Sequence, residues 1–186
     1  FLRKIEEYDF DFQPTVNEEK IKTIASSNFY EEAINIVFVG NPGVGKTHLA
    51  IAIGYEVAIK RNSVYFIKFN KLISILKNAY QEGTFDKRVR HFFKYKVLII
   101  DEVGFSEISP LEAKFFFQLI DLRYTKKSTI FTSNMTFDKW PQILGNDEMM
   151  TKAVLDRILH HSYIFNIVGP SYRIKDKLKP TSNKTK

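Results

Sequence analysis

Five short apolar runs, at residues 35–39, 63–69, 96–100, 128–132 and 162–168, recur along the chain, each rich in β-branched and aromatic residues. Several are apolar at consecutive positions, the pattern of strands covered on both faces. Between them lie amphipathic stretches with helix punctuation. A helix is predicted to begin at Thr47, and Ser109-Pro110-Leu111-Glu112 supplies an N-cap, a proline at the first helical position and a capping-box acid. Leu111, Phe115, Phe116, Leu119 and Ile120 are expected to form that helix's apolar stripe, with the Phe115-Phe116-Phe117 run as core. Asn146-Asp147 opens another helix whose Met150, Val154, Leu155, Ile158 and Leu159 share a broad apolar side. Strands alternating with helices predict an α/β fold, a parallel sheet flanked by helices. Ahead of the first run, acidic and aromatic residues alternate through Tyr8, Phe10 and Phe12. The expected organisation is an N-terminal arm over 1–25, a core over 26–170 and a basic tail over 171–186.

The first strand runs directly into Gly40-Asn41-Pro42-Gly43-Val44-Gly45-Lys46-Thr47, a complete G-x-x-x-x-G-K-[ST] phosphate loop, followed by His48. Glycines let successive backbone N–H groups turn inward, and the helix that follows adds its positive end. Lys46 is expected to reach the β- and γ-phosphates, and the Thr47 hydroxyl to ligate Mg²⁺. The run at 96–100 ends in Asp101-Glu102. Asp101 is expected in the Mg²⁺ shell and Glu102, on the other side of an alternating strand, beside an attacking water. The run at 128–132 leads to Ser133-Asn134, which puts Asn134 at the carboxyl end of a strand, where open α/β sheets bind ligands. Arg157, at the edge of an apolar stripe, either pairs locally with Asp156 or Asp121 or reaches a neighbouring subunit's nucleotide.

Composition narrows the partners. The 186 residues suit one domain, and no apolar run approaches the ~18 residues of a membrane span. The absence of cysteine excludes disulfides and thiolate metal sites and fits a reducing, cytoplasmic interior. Adjacent His160 and His161 point about 100° apart on a helix and read as helix-end residues rather than metal ligands. The net charge of +7 is uneven: residues 171–186 carry +5 and residues 86–96 carry +4, leaving −2 on the remainder. Such localised basic surfaces suit a polyanion, or serve as a solvated helix face and a solubilising tail. Lys87, Arg88 and Arg90 are the candidate DNA contacts, on a helix expected to bury Val89, Phe92 and Phe93.

Six ordered stretches resemble one family. They are Asn41–Ala50, Leu98–Phe105 (Leu-Ile-Ile-Asp-Glu-Val-Gly-Phe), Phe116–Ile120, Thr132–Trp140, Leu155–His161 and Gly169–Arg173. Together they are similar to the IstB-like ATPases, AAA+ helpers of insertion-sequence transposases and relatives of the DnaC helicase loaders. The resemblance implies a P-loop NTPase of AAA+ type with a five-stranded core and little or no C-terminal helical lid here. It also implies ATP with Mg²⁺, ring or filament assembly, DNA binding and contact with a transposase. By position, Lys46 and Thr47 match the Walker A motif, Asp101 and Glu102 the Walker B motif, Asn134 sensor 1, Arg157 the arginine finger and Arg173 sensor 2. The family normally begins with a small helical domain ahead of Glu6, and the chain, which starts without Met, is expected to lack it.

Two other readings stay open. A DnaC-like replicative helicase loader shares every nucleotide motif and would prefer single-stranded DNA. A nucleotide-gated adaptor would bind ATP without useful turnover, against which the intact Glu102 argues.

Overall fold

A computed structural model describes residues 2–177. Its centre is one five-stranded sheet, parallel throughout, in the order β2-β3-β4-β1-β5. The strands are β1 (Asn35–Gly40), β2 (Val64–Lys68), β3 (Val97–Val103), β4 (Ser128–Ser133) and β5 (Ser162–Ile167). Each falls on one of the five apolar runs. The helices are α1 (Glu18–Ser26), α2 (Lys46–Ile59), α3 (Phe69–Gln81), α4 (Phe85–Phe93), α5 (Pro110–Arg123), α6 (Trp140–Ile143) and α7 (Glu148–Leu159).

Burial follows position in the sheet. All six residues of β4 are buried, whereas the edge strands β2 and β5 leave Phe66 and Ile164 partly exposed. One apolar layer packs α3, α4, α5 and α7 on the first face through Phe69, Leu76, Phe92, Phe116 and Ile158. The other face is covered by α2 and the N-terminal segment, with Ile5, Tyr8, Val16 and Ile21 beside Leu49 and Ile53. The stretch expected as an arm therefore lies against the sheet's α2 layer.

Helix starts match their punctuation. Ser109 Oγ accepts from Glu112 N–H and Glu112 Oε2 from Ser109 N–H, a reciprocal cap that opens α5. Asp147 Oδ1 accepts from Met150 N–H at 2.8 Å and opens α7. Leu111 departs from its expected place in the stripe, being 47% exposed. At 100° per residue it lies about 130° from the centre of the face that buries Ala113, Phe115, Phe116, Leu119, Ile120 and Arg123.

Candidate nucleotide-binding site

The carboxyl ends of β1, β3 and β4 converge on a cleft of about 550 Å³. Its floor is the phosphate loop. Gly43 and Gly45 take φ of 83° and 95°, and Gly45 caps α2, so the unpaired N–H groups of that helix's first turn open into the loop. Space demands glycine as firmly as conformation does: a Cβ on Gly45 would lie 2.4 Å from the Tyr8 ring, and one on Gly43 2.0 Å from Ser171 Oγ.

Two distant segments hold the loop between them. The Tyr8 hydroxyl donates to Val44 O at 2.9 Å, and Tyr172 N–H donates to Gly43 O at 2.8 Å. Burial raises the pKa of Tyr8, which stays a neutral donor. The segments are also tied to each other, by Gln13 Nε2 donating to Pro170 O at 2.7 Å, by Thr15 with Val168, and by the Lys175–Asp9 ion pair.

Lys46 is buried, with its ammonium donating to Gly40 O and Asn41 O, both at 2.7 Å. Burial pushes its pKa down to about 8; Asp101 and Glu102 oppose the shift and Arg173 adds to it. Across the cleft, Asp101 is 1% exposed, and its Oδ1 accepts from both Thr47 Oγ1 and Thr132 Oγ1 at 2.7 Å. Thr132 in turn accepts the Glu102 N–H at 2.9 Å. A hydroxyl and a carboxylate, both hard oxygen donors, fit Mg²⁺.

Glu102 corrects the expectation of simple strand alternation. Its φ is 60°, where the β3–β4 register slips between Ile100 and Val103, a conformation costing a non-glycine residue about 1 kcal/mol or more. The turn brings its carboxylate to Lys68 Nζ at 2.9 Å, at the end of β2.

Other expected residues divide by location. Pro42, Val44, His48, Asn134 and Arg173 line the cleft with the glycines and Lys46, and Gly40 and Asn41 turn their carbonyls to Lys46. His48 Nε2 lies 2.9 Å from Lys4 O. Arg157 is not among the lining residues; it takes the local pairing, Nε to Asp121 Oδ1 at 2.5 Å and Nη1 to Ala153 O at 3.0 Å, with its guanidinium 4.6 Å from the Phe117 ring. Lys87 and Arg90 lie on the outer face of α4 in a shallow depression with Asp86, His91 and Lys94, and Arg88 lies about 100° round from Lys87. The tail beyond Lys177 lies outside the described residues. Among the described residues no helix is long and apolar enough to cross a membrane.

Sequence reading missed Thr132, Lys68, Gln13, Ser171 and Tyr172. Thr132 carried a faint signal, a polar residue inside a buried run, and Lys68 another, a cation at a strand end.

Comparison with known proteins agrees with this geometry. The family model described as IstB-like ATP binding protein matches residues 1–180. A protein of insertion sequence IS232 from Bacillus thuringiensis subsp. berliner, named as an ATP-binding protein, is 50% identical over 174 residues, covering 94% of this chain and 69% of the relative. The corresponding protein of IS5376 from Geobacillus stearothermophilus is 44% identical, over 95% of this chain and 70% of its own length. Among solved structures, the DnaC helicase loader superposes with a TM-score of 0.68 at 26% identity, covering 81% of this chain and 88% of that one. An AMPPCP-bound DnaA from Aquifex aeolicus, at 20% identity and a TM-score of 0.74 over 99% of this chain and 57% of its own, shares the fold.

Proposed function

The chain belongs to the IstB-like ATP-binding protein family, and from that premise we propose that it is a Mg²⁺-dependent ATPase that assembles on duplex DNA and assists a transposase. The observation that carries the catalytic part is the junction of the phosphate loop with the third strand: Thr47 and Asp101 share a hydrogen bond at 2.7 Å beside Lys46. Mg²⁺ held by Thr47 and Asp101 would neutralise charge on the β- and γ-phosphate oxygens. Lys46 leaves the loop carbonyls for the phosphates, exchanging neutral acceptors for charged ones. Glu102 takes the proton of the attacking water, and Asn134 orients that water or the γ-phosphate from the end of β4. Arg173 adds positive charge at the cleft's rim.

Arg157 serves as the finger for a neighbouring protomer's nucleotide. Its place outside the lining of its own cleft and its partly exposed side chain support a role in trans, which requires it to leave Asp121. DNA lies along the basic residues Lys87, Arg88 and Arg90 of α4. Contact with a transposase rests on the insertion-sequence relatives.

The test is mass in solution with and without ATP and duplex DNA, repeated for Arg157→Ala, beside phosphate release for Glu102→Gln. ATP-dependent assembly is expected to fail in the first variant and turnover in the second. Assembly that survives Arg157→Ala removes the finger, and turnover that survives Glu102→Gln removes the base. The likeness to the DnaC helicase loader supports a second reading, loading of a replicative helicase; preference for single-stranded over duplex DNA would favour it.

A further inference from the structure

The outer face of α4 does not end at the helix. Lys87, Arg90 and Lys94 are exposed and, among the described residues, take part in no ion pair; Asp86 is the one acid in their depression. Beyond Lys94 the surface reaches the turn between α5 and β4, where Lys127 Nζ sits 5.6 Å from the Phe93 ring and Lys126 is exposed.

A buried cation fastens these two pieces together. Arg123 is 1% exposed, and its guanidinium donates to Phe92 O at 2.9 Å and Tyr95 O at 3.1 Å, at the close of α4. It also donates to Ser128 O at 2.5 Å and Thr129 Oγ1 at 3.0 Å, at the start of β4. Burial pushes its pKa down to about 9, still above neutrality, so it stays charged and satisfied by uncharged acceptors. The N–H groups of Lys126 and Lys127 both donate to Arg123 O, at 3.0 and 2.9 Å. The turn is therefore held in one position relative to α4.

We propose that α4 and this turn form one continuous phosphate track, in which Lys126 and Lys127 extend the nucleic-acid footprint of Lys87, Arg90 and Lys94. The proposal rests on the DNA-binding reading above and adds contacts that reading lacks. Residues 87–94 span about 10 Å of helix, or about three nucleotides of duplex rise, and the turn lengthens the line at its Lys94 end. The track's far end lies where β3 and β4 begin, and the phosphate loop lies where the strands end. A nucleic acid on the track and a nucleotide in the cleft do not compete. Positive side chains without apolar anchors fit a phosphate backbone, which is gripped by charge and read weakly for sequence.

The experiment is binding of fluorescent duplex DNA by anisotropy across a salt series, for the wild type, Lys126→Ala/Lys127→Ala and Lys87→Ala/Arg90→Ala, with excess ATP present and absent. Two contacts removed should flatten the log K against log salt slope by about 1.8 and weaken binding by tens-fold near 0.1 M salt. Unchanged melting and ATP affinity in the turn variant are the folding control. If the α4 variant loses affinity and the turn variant keeps both affinity and slope, the track stops at α4 and the proposal is overturned while DNA binding stands. If neither variant differs from the wild type, DNA binds elsewhere and both readings fall. Displacement of DNA by ATP would place the polyanion in the phosphate loop and also overturn the track. Loss of polyglutamate binding with DNA affinity intact would assign the turn to an acidic protein partner instead.

Discussion

Removing the Lys68 ammonium should speed ATP turnover in the absence of DNA. Lys68 and Asp101 are register partners on adjacent strands, so the cation is carried by the sheet itself to the position beside Glu102. Their ion pair is 2.9 Å long, and the two side chains are 60% and 33% exposed. Glu102 raises the pKa of Lys68, so the lysine stays charged through neutral pH. A carboxylate engaged by an ammonium has fewer free lone pairs for water, and it must leave that partner before it can take a proton. A pair this open is worth about 0.5–1 kcal/mol after solvent screening, which as a barrier contribution is about 2- to 5-fold in rate.

The perturbation is Lys68→Met, which keeps the stem and removes the charge. Phosphate release at saturating ATP and pH 7.5 should rise about 2- to 5-fold, while Glu102→Gln in the same background should abolish it. The Michaelis constant separates the alternatives: a lysine that restrains the base changes kcat, whereas one that touches the triphosphate raises KM when removed. An unchanged or lower kcat in a folded Lys68→Met protein would refute the restraint.

Affinity for a non-hydrolysable ATP analogue should hold below pH 8 and fall as pH rises above it. Burial holds Lys46 at about 8, phosphate raises that value, and so the complex keeps a proton that the free protein has lost; calorimetry at pH 8 in buffers of different ionisation enthalpy should show uptake of about half a proton. Gly45→Ala should lose nucleotide binding, because its Cβ meets the Tyr8 ring at 2.4 Å on a backbone with φ of 95°; equilibrium dialysis with labelled ATP checks it, and wild-type affinity refutes it. Thr132→Val removes a donor to Asp101 and the acceptor for Glu102 N–H, leaving a partly buried N–H unpaired at a cost of about 1–3 kcal/mol, and should lower both the melting temperature, by about 3–10 °C, and turnover. A melting curve that overlays the wild type would show that water replaces the hydroxyl.

The strands and the chemistry at their carboxyl ends were legible because both are local signals. Five apolar runs became five strands, and the phosphate loop and Asp101 each follow directly from one of them. The boundaries were less legible. The run at 63–69 closes at Lys68, and its last residue, Phe69, is buried as the first residue of α3, since an apolar position alone does not distinguish the end of a strand from the start of a helix. Arg123 lies in the centre of the buried face of α5, where periodicity predicts an apolar residue, because four acceptors from the end of α4, the turn that follows it and β4 are available there. The clamps on the phosphate loop were invisible for a different reason. Tyr8 meets Val44 across 36 residues and Gln13 meets Pro170 across 157, and no pattern within a window of chain encodes such a meeting.

The strand β4 connects these observations. Its first residues, Ser128 and Thr129, accept from Arg123 behind the basic surface, and its last part brings Thr132 and Asn134 to the nucleotide cleft. It is buried along its whole length between β3 and β1, and about 17 Å separate its ends. A central strand enclosed on both faces and both edges does not bend or slide without breaking its ladders, so the cleft and the basic track keep a fixed separation within one protomer. ATP can then alter the grip on DNA through the way protomers are arrayed, each adding its own track to the line. On this reasoning Arg157→Ala retains the salt-dependent affinity of a single protomer and loses the part that depends on ATP. An ATP effect of full size in an Arg157→Ala protein that stays monomeric would mean that the sheet itself transmits the signal.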